Sequence, residues 1–185
     1  MPTLTERPSW LRLRTLYPGI ETFSPANCLV QRPVSSFFEI TTLLDFTSTF
    51  ERQSAGLMIR ELQQEMGVSI GLFNDNVMQV GLWHGKSGGP MRRIAQAGWF
   101  DEQWKPKGRI ELRLVMEGWA IRAYYRAEGA AEWIHLGPDY HFGWTENWFT
   151  AFHPGLFSGA SALSPKPGHA DFKYFHHVDF EPQGA

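Results

Sequence analysis

The sequence holds one cysteine, Cys28, in 185 residues. An intramolecular disulfide is therefore excluded, as is any metal site built on two or more thiolates. Cys28 opens an apolar run, where a buried structural thiol is expected. Long hydrophobic stretches are also missing. No run approaches the roughly 20 apolar residues of a membrane helix. The opening MPTLTERPSW has no hydrophobic region of a secretory signal. A cytoplasmic protein without a membrane partner is the expectation. Neither charge is in excess: 17 Lys and Arg against 19 Asp and Glu give a net charge of −2. Nucleic-acid binding, which needs clustered cations, is thereby disfavoured. Internal repeats and low-complexity tracts are absent, and no helix of three turns can be drawn.

Catalytic signatures are scarce as well. No G-x-S-x-G elbow occurs, and Ser158-Gly159 has no base in view. The KSGGP run at 86–90 lacks the pattern of a phosphate loop, and no helix follows it. Hydrolysis of a glycoside needs two carboxylates roughly 5–10 Å apart. Glu39, Glu61, Glu111, Asp139 and Asp171 show no recognisable pairing, and the alternating E-x-D-x-E strand of sandwich hydrolases is missing. No catalytic residue is assigned.

What the chain does have is aromatic residues, 15% of the total with eight Trp, and short alternating runs. Leu11–Arg14 alternates. Cys28–Arg32 is stopped by Pro33. In 37–46, Phe38, Ile40, Thr42, Leu44 and Phe46 share one face. The segment 55–63 has helix-favouring residues in its second half, yet Leu57 and Ile59 alternate and Gly67 follows too soon for a helix, so a strand into a turn is expected. Runs 68–73 and 77–83 flank Asn74-Asp75-Asn76 as a hairpin. A weak strand over 91–96 precedes a clear one over 109–116, whose Ile110, Leu112, Leu114 and Met116 face inward. Turns at Glu117-Gly118 and Glu128-Gly129 continue into 119–126 and 133–136. Turning about every 8–12 residues is an all-β signature.

The end of the chain carries two further runs separated by a Gly-, Ser- and Pro-rich loop. In the second, simple alternation points Ala170, Phe172, Tyr174 and His176 one way and Asp171, Lys173, Phe175 and His177 the other. Aromatics on both faces suit a central strand. The expected fold is one all-β domain over 1–185, a jelly-roll β-sandwich of two antiparallel sheets, with 1–9 as a loose lead-in.

Several stretches, in order, carry a resemblance. They are Pro8–Leu13 (PSWLRL), Cys28–Arg32 (CLVQR), Ala55–Met58 (AGLM), Tyr125 through Gly129 to Trp133, Trp148–Phe152 (WFTAF) and Ala170–Phe175 (ADFKYF). Together the chain resembles the C-terminal concanavalin A-like β-sandwich of glycoside hydrolase family 43 β-xylosidases. That resemblance implies an accessory domain packed on a five-bladed catalytic propeller. It also implies that an aromatic loop residue of the sandwich helps close the propeller's pocket; here the loop is the one around Phe149 and Phe152. Two departures stand out: Phe-Thr-Ala replaces the family's Phe-Thr-Gly, and His153-Pro154 follows.

Two further binding roles can be placed on residues. A sugar's apolar face stacks on an exposed aromatic ring, while planar polar side chains hold its hydroxyls. A concave sheet face built from Arg32, Glu39, Arg60, Gln79, Arg113, Arg122, Tyr124 and His177 would suit an oligosaccharide. Trp83, Trp99, Trp104 and Trp144 lie in or beside loops, where stacking is open to them; Trp10, Trp119 and Trp133 are expected in the core. The same charged face would alternatively dock a glycosidase catalytic domain or a second copy of this chain. No cofactor is required. A structural calcium is the one ion given a candidate ligand, Asp171.

Overall fold

A computed structural model describes residues 2–17, 27–49, 51–61, 66–86, 91–103, 105, 107–142, 152–160 and 166–182. All regular elements among these are strands: β1 Leu11–Arg14, β2 Asn27–Val30, β3 Phe37–Thr47, β4 Gln53–Glu61, β5 Met66–Asp75, β6 Val77–Lys86, β7 Arg92–Gly98, β8 Ile110–Glu117, β9 Ala120–Ala127, β10 Ile134–His135, β11 Tyr140–His141, β12 Phe152–Ala160, β13 His169–Phe172 and β14 His176–Asp179. They form two antiparallel sheets. The eight-stranded sheet runs β1-β13-β3-β8-β9-β10, with β11 also on β9 and β14 also on β3; the six-stranded sheet runs β2-β12-β4-β5-β6-β7.

One core lies between the sheets. The inward rows of β3, β8 and β9 supply Phe38, Ile40, Leu44, Ile110, Leu112, Leu114 and Tyr125, which meet Leu57, Ile59, Val68, Ile70, Val80 and Leu82 from the other sheet. Alternation alone directs these residues inward, because successive strand side chains point to opposite faces. Trp99 is sunk into the same core, 3% exposed, with its indole N–H donating to the Gly108 carbonyl at 2.9 Å. Its place is therefore structural, and it offers no surface for stacking.

The six-stranded sheet departs from simple alternation of apolar and polar residues. Both faces of β4 and β5 are buried. On the outer face, Gly56 of β4 sits directly beside Gly71 of β5, which sits beside Gly81 of β6. A side chain at Gly56 would overlap the Ile70 carbonyl oxygen, and one at Gly71 the Ala55 carbonyl oxygen. Glycine in a strand interior is favoured where backbones approach this closely. The Trp83 ring occupies the space over Gly81 and meets Phe73 edge-on, with centroids 4.7 Å apart. Trp83 is consequently 5% exposed.

The C-terminal strand is interrupted. Leu44 of β3 pairs with Phe172, and Thr41 pairs with His176. Two residues of β3 therefore face three of the partner, Lys173, Tyr174 and Phe175, which is a bulge. One inserted residue reverses every side chain beyond it. His177 is thereby turned inward opposite Ile40, edge-on to Phe38 at 5.0 Å. The bulge also points the Tyr174 carbonyl at β3, where the buried Thr42 hydroxyl donates to it at 2.5 Å.

Residues 2–9, expected as a loose lead-in, are pinned. Thr3 and Arg12 exchange two backbone hydrogen bonds, at 3.0 and 2.9 Å. Arg7 reaches Asp45 and Asp171 and lies over the Trp10 ring, 3.9 Å from its centroid.

Candidate functional site

The two outer faces of the sandwich treat their charges differently. On the eight-stranded sheet every outward arginine has a carboxylate. Arg12 makes two hydrogen bonds of 2.7 Å to Asp171 and one of 3.1 Å to Glu6. Arg14 holds Glu6 at 2.9 Å. Arg109 joins Asp45 and Glu128, Arg113 joins Glu39, Arg122 joins Glu117, and Arg126 joins Glu111 at 2.5 Å. The Tyr174 hydroxyl donates to the same Glu111 at 2.7 Å. Burial and this donation to Glu111 hold the phenol well above its ordinary range. Aromatic rings lie among the pairs. Arg126 stacks on Trp133 at 4.2 Å, and Arg113 lies 5.6 Å from Tyr124. Asp171 is the deepest member, its side chain 2% exposed. Burial acts to raise its pKa, but the hydrogen bonds from Arg12 and Arg7 outweigh it and hold the carboxyl below the ordinary range.

That environment bears on Asp171 as a calcium ligand. A calcium ion gathers six to eight oxygens. Asp171 has gathered two guanidinium groups instead, and both its oxygens accept from them. No group of three or more His, Cys, Asp or Glu able to hold a metal occurs among the described residues.

The outer face of the six-stranded sheet is built from other materials. Strand register and alternation bring Ser54, Gly56, Met58 and Arg60 of β4 to this face. Phe73, Gly71, Ser69 and Gly67 of β5 lie beside them, followed by Gln79, Gly81 and Trp83 of β6. On the other flank β12 contributes His153, Gly155 and Phe157. Among the strand residues described on this face the one carboxylate is Asp75, exposed at the β5–β6 hairpin tip. Its middle is covered: Met58 and Phe157 are 1% and 2% exposed, and Met91 and the half-buried Cys28 pack on them. The half-buried Arg60 and Gln79 and the exposed Gln96 flank this covered centre. Among the described residues Arg60 has no ion-pair partner, and its shielded Nε has no acceptor.

The sequence-predicted sugar residues do not share one surface. Glu39, Arg113, Arg122 and Tyr124 belong to the outer face of the eight-stranded sheet, where Glu39 pairs with Arg113 and Arg122 with Glu117. Arg60 and Gln79 belong to the opposite face of the molecule. Arg32 follows β2 and is exposed. His177 is interior: the bulge carries it in, its side chain is 6% exposed, and neither ring nitrogen has a hydrogen-bond partner. Its Nε2 lies 3.5 Å from Asp179. The tryptophans are also redistributed. Trp83 and Trp99 are buried, whereas Trp119, expected in the core, is 42% exposed and Trp133 is half-buried. Trp104, Trp144 and Phe149 lie outside the described residues. Phe152 is buried at the start of β12, stacked on Phe142 at 4.5 Å and meeting Trp119 edge-on at 5.7 Å.

Sequence reasoning missed how unevenly the two faces share their carboxylates, because only the pairing register shows which charges share a surface. The lone Thr42 in the apolar row of β3 was a legible sign of the bulge.

Known proteins match this architecture. The GH43 protein BlXynB from Bacillus licheniformis superposes with a TM-score of 0.80 at 19% identity, over 97% of this chain and 34% of that one. The xylan beta-1,4-xylosidase from Bacillus halodurans C-125 gives 0.75 at 21%, over 96% and 34%. This chain thus spans about a third of the length of those xylosidases. A functionally unknown protein from Saccharomyces cerevisiae gives 0.64 at 14%, over 96% of this chain and 91% of that one. No curated protein sequence matches significantly. The model of the beta xylosidase C-terminal concanavalin A-like domain matches residues 1–177, and the chain belongs to that family.

Proposed function

We propose that this domain is a non-catalytic accessory module of plant-polysaccharide breakdown that binds a plant-type oligosaccharide on the outer face of its six-stranded sheet. The observation that carries the reading is the set of planar polar side chains there, Arg60, Gln79 and Gln96, which make no side-chain hydrogen bond or ion pair to one another or to other described residues. The opposite face is less suited, because its arginines and carboxylates satisfy one another. The same pairing argues against hydrolysis. A general acid needs a raised pKa, and Asp171 is shifted the other way.

The test is direct titration with xylo- and arabino-oligosaccharides, followed by the melting temperature and Trp fluorescence. Binding is expected at millimolar concentration or below, and Gln79→Ala should weaken it severalfold. No response to any such oligosaccharide at millimolar levels refutes the reading.

A second reading is favoured by Trp119. This exposed ring stands against Phe152, and Phe152 closes the segment that the family resemblance assigns to a partner's pocket. In this reading the same end of the sandwich docks a catalytic propeller supplied by another chain.

A further inference from the structure

We infer that the open end of the six-stranded face selects saccharides bearing a carboxylate, through Arg60 and Arg32. The inference rests on the saccharide reading above and names the class of sugar that the face prefers. Arg60 pairs across the ladder with His153 of β12 and with Gly67 of β5. On the far side of β12, Val30 pairs with Gly155, and the Gln31 amide donates to the Pro154 carbonyl at 2.8 Å. The next position along is Arg32, level with His153. Arg32 and Arg60 thus flank one strand, their backbones about 10 Å apart from the spacing of neighbouring strands.

Among the described residues neither arginine, like Arg92 and Arg93, has a carboxylate partner, whereas the seven arginines on the outer face of the other sheet and its N-terminal segment do. The contrast is informative because the whole chain carries more acidic than basic residues. Counter-charges were available and were used on the other face. Here Arg60 keeps a solvent-shielded Nε–H without an acceptor. Its terminal nitrogens, which are not shielded in this way, offer a carboxylate two parallel charge-assisted hydrogen bonds, stronger than those a neutral sugar hydroxyl accepts. A uronic acid carried on a neutral oligosaccharide fits both halves of the surface. Its carboxylate meets Arg60 and Arg32, and its neutral residues extend from there along the surface of the sheet.

Calorimetric titration tests this with two probes, xylotriose and glucuronic-acid-substituted xylotriose. The substituted sugar should bind at least tenfold tighter at low salt. The preference should shrink severalfold between 50 and 500 mM salt, as expected for a charge contact open to solvent. Arg60→Met keeps the aliphatic stem and should abolish the preference, bringing the substituted sugar down to the affinity of xylotriose for the same variant. Arg32→Met, at an exposed position, should reduce it by a smaller factor and guards against misfolding of the first variant. Equal affinity for both sugars overturns the inference and leaves the saccharide reading standing. Binding of neither overturns both. Inorganic phosphate that competes as strongly as glucuronate overturns the selectivity for a sugar acid.

Discussion

Asp171 shows how much of a residue's surroundings lies beyond its sequence context. A carboxylate in a strand near histidines looks like a ligand, and its function here is to hold two arginines from the N-terminal segment. Its side chain is almost fully buried, yet it titrates below the ordinary range because Arg12 and Arg7 donate to both oxygens. A depressed folded-state pKa gives stability that is present above the unfolded value of about 3.9 and is lost as pH falls through the folded value. Asp171→Asn keeps the shape, removes the charge and leaves the guanidinium groups undercompensated. Breaking a buried pair in this way costs several kcal/mol, so a loss of about 3 kcal/mol is expected in urea unfolding at pH 7. The difference from the unmodified protein should shrink as pH is lowered below about 4. A constant difference from pH 7 to pH 3 would show that the charge is irrelevant.

At the scale of the element, the bulge between β13 and β14 decides which residues can work at a surface. Strict alternation assigns His177 to the outside; three residues facing two turn it in. The fold tolerates this because Thr42 supplies a hydroxyl to the carbonyl that the bulge turns toward β3. Thr42→Val has nearly the same shape and removes only that donor. An unsatisfied buried carbonyl costs about 1–3 kcal/mol. The expected result is a destabilisation of about 2 kcal/mol in chemical denaturation, with far-UV dichroism unchanged. A neutral Thr42→Val would mean that the bulge does not need its cap. The long strands were otherwise readable, since β3, β8 and β9 alternate apolar and polar residues over eight or more positions. The glycine-crossed strands β4 and β5 were readable as strands but not as doubly buried ones. Burial on their outer face comes from Met91 packing on Met58 and Phe157, a contact between residues distant in sequence that no local pattern encodes.

For the whole molecule, the sandwich was legible and the distribution of its surfaces was not. Sheet membership depends on which strands pair, so Arg113 and Arg60, alike in sequence context, end on opposite faces. The same holds for the end of the sandwich that carries Trp119. This residue follows the tight turn at Gly118, which has a φ of +63°, at the tip of the β8–β9 hairpin. It reaches Phe152 of the other sheet, and its carbonyl accepts from the Phe142 amide at 2.9 Å. A single exposed aromatic is ordinary on a protein surface. This one stands against Phe152 and hydrogen-bonds Phe142, the two described residues on either side of 143–151 in sequence. If that end docks a catalytic propeller, Trp119 is the exposed aromatic anchor that interfaces favour. Trp119→Ala should then lower the melting temperature by only about 2–4 °C, the shift for roughly 1 kcal/mol in a domain of this size, because the ring is already half in water. The same substitution should weaken capture of a separately supplied family 43 propeller at least tenfold, measured by surface immobilisation of the sandwich, while Gln79→Ala leaves capture intact. Equal loss in both variants would place the docking surface elsewhere. No capture by the unmodified domain would leave oligosaccharide binding as its own work.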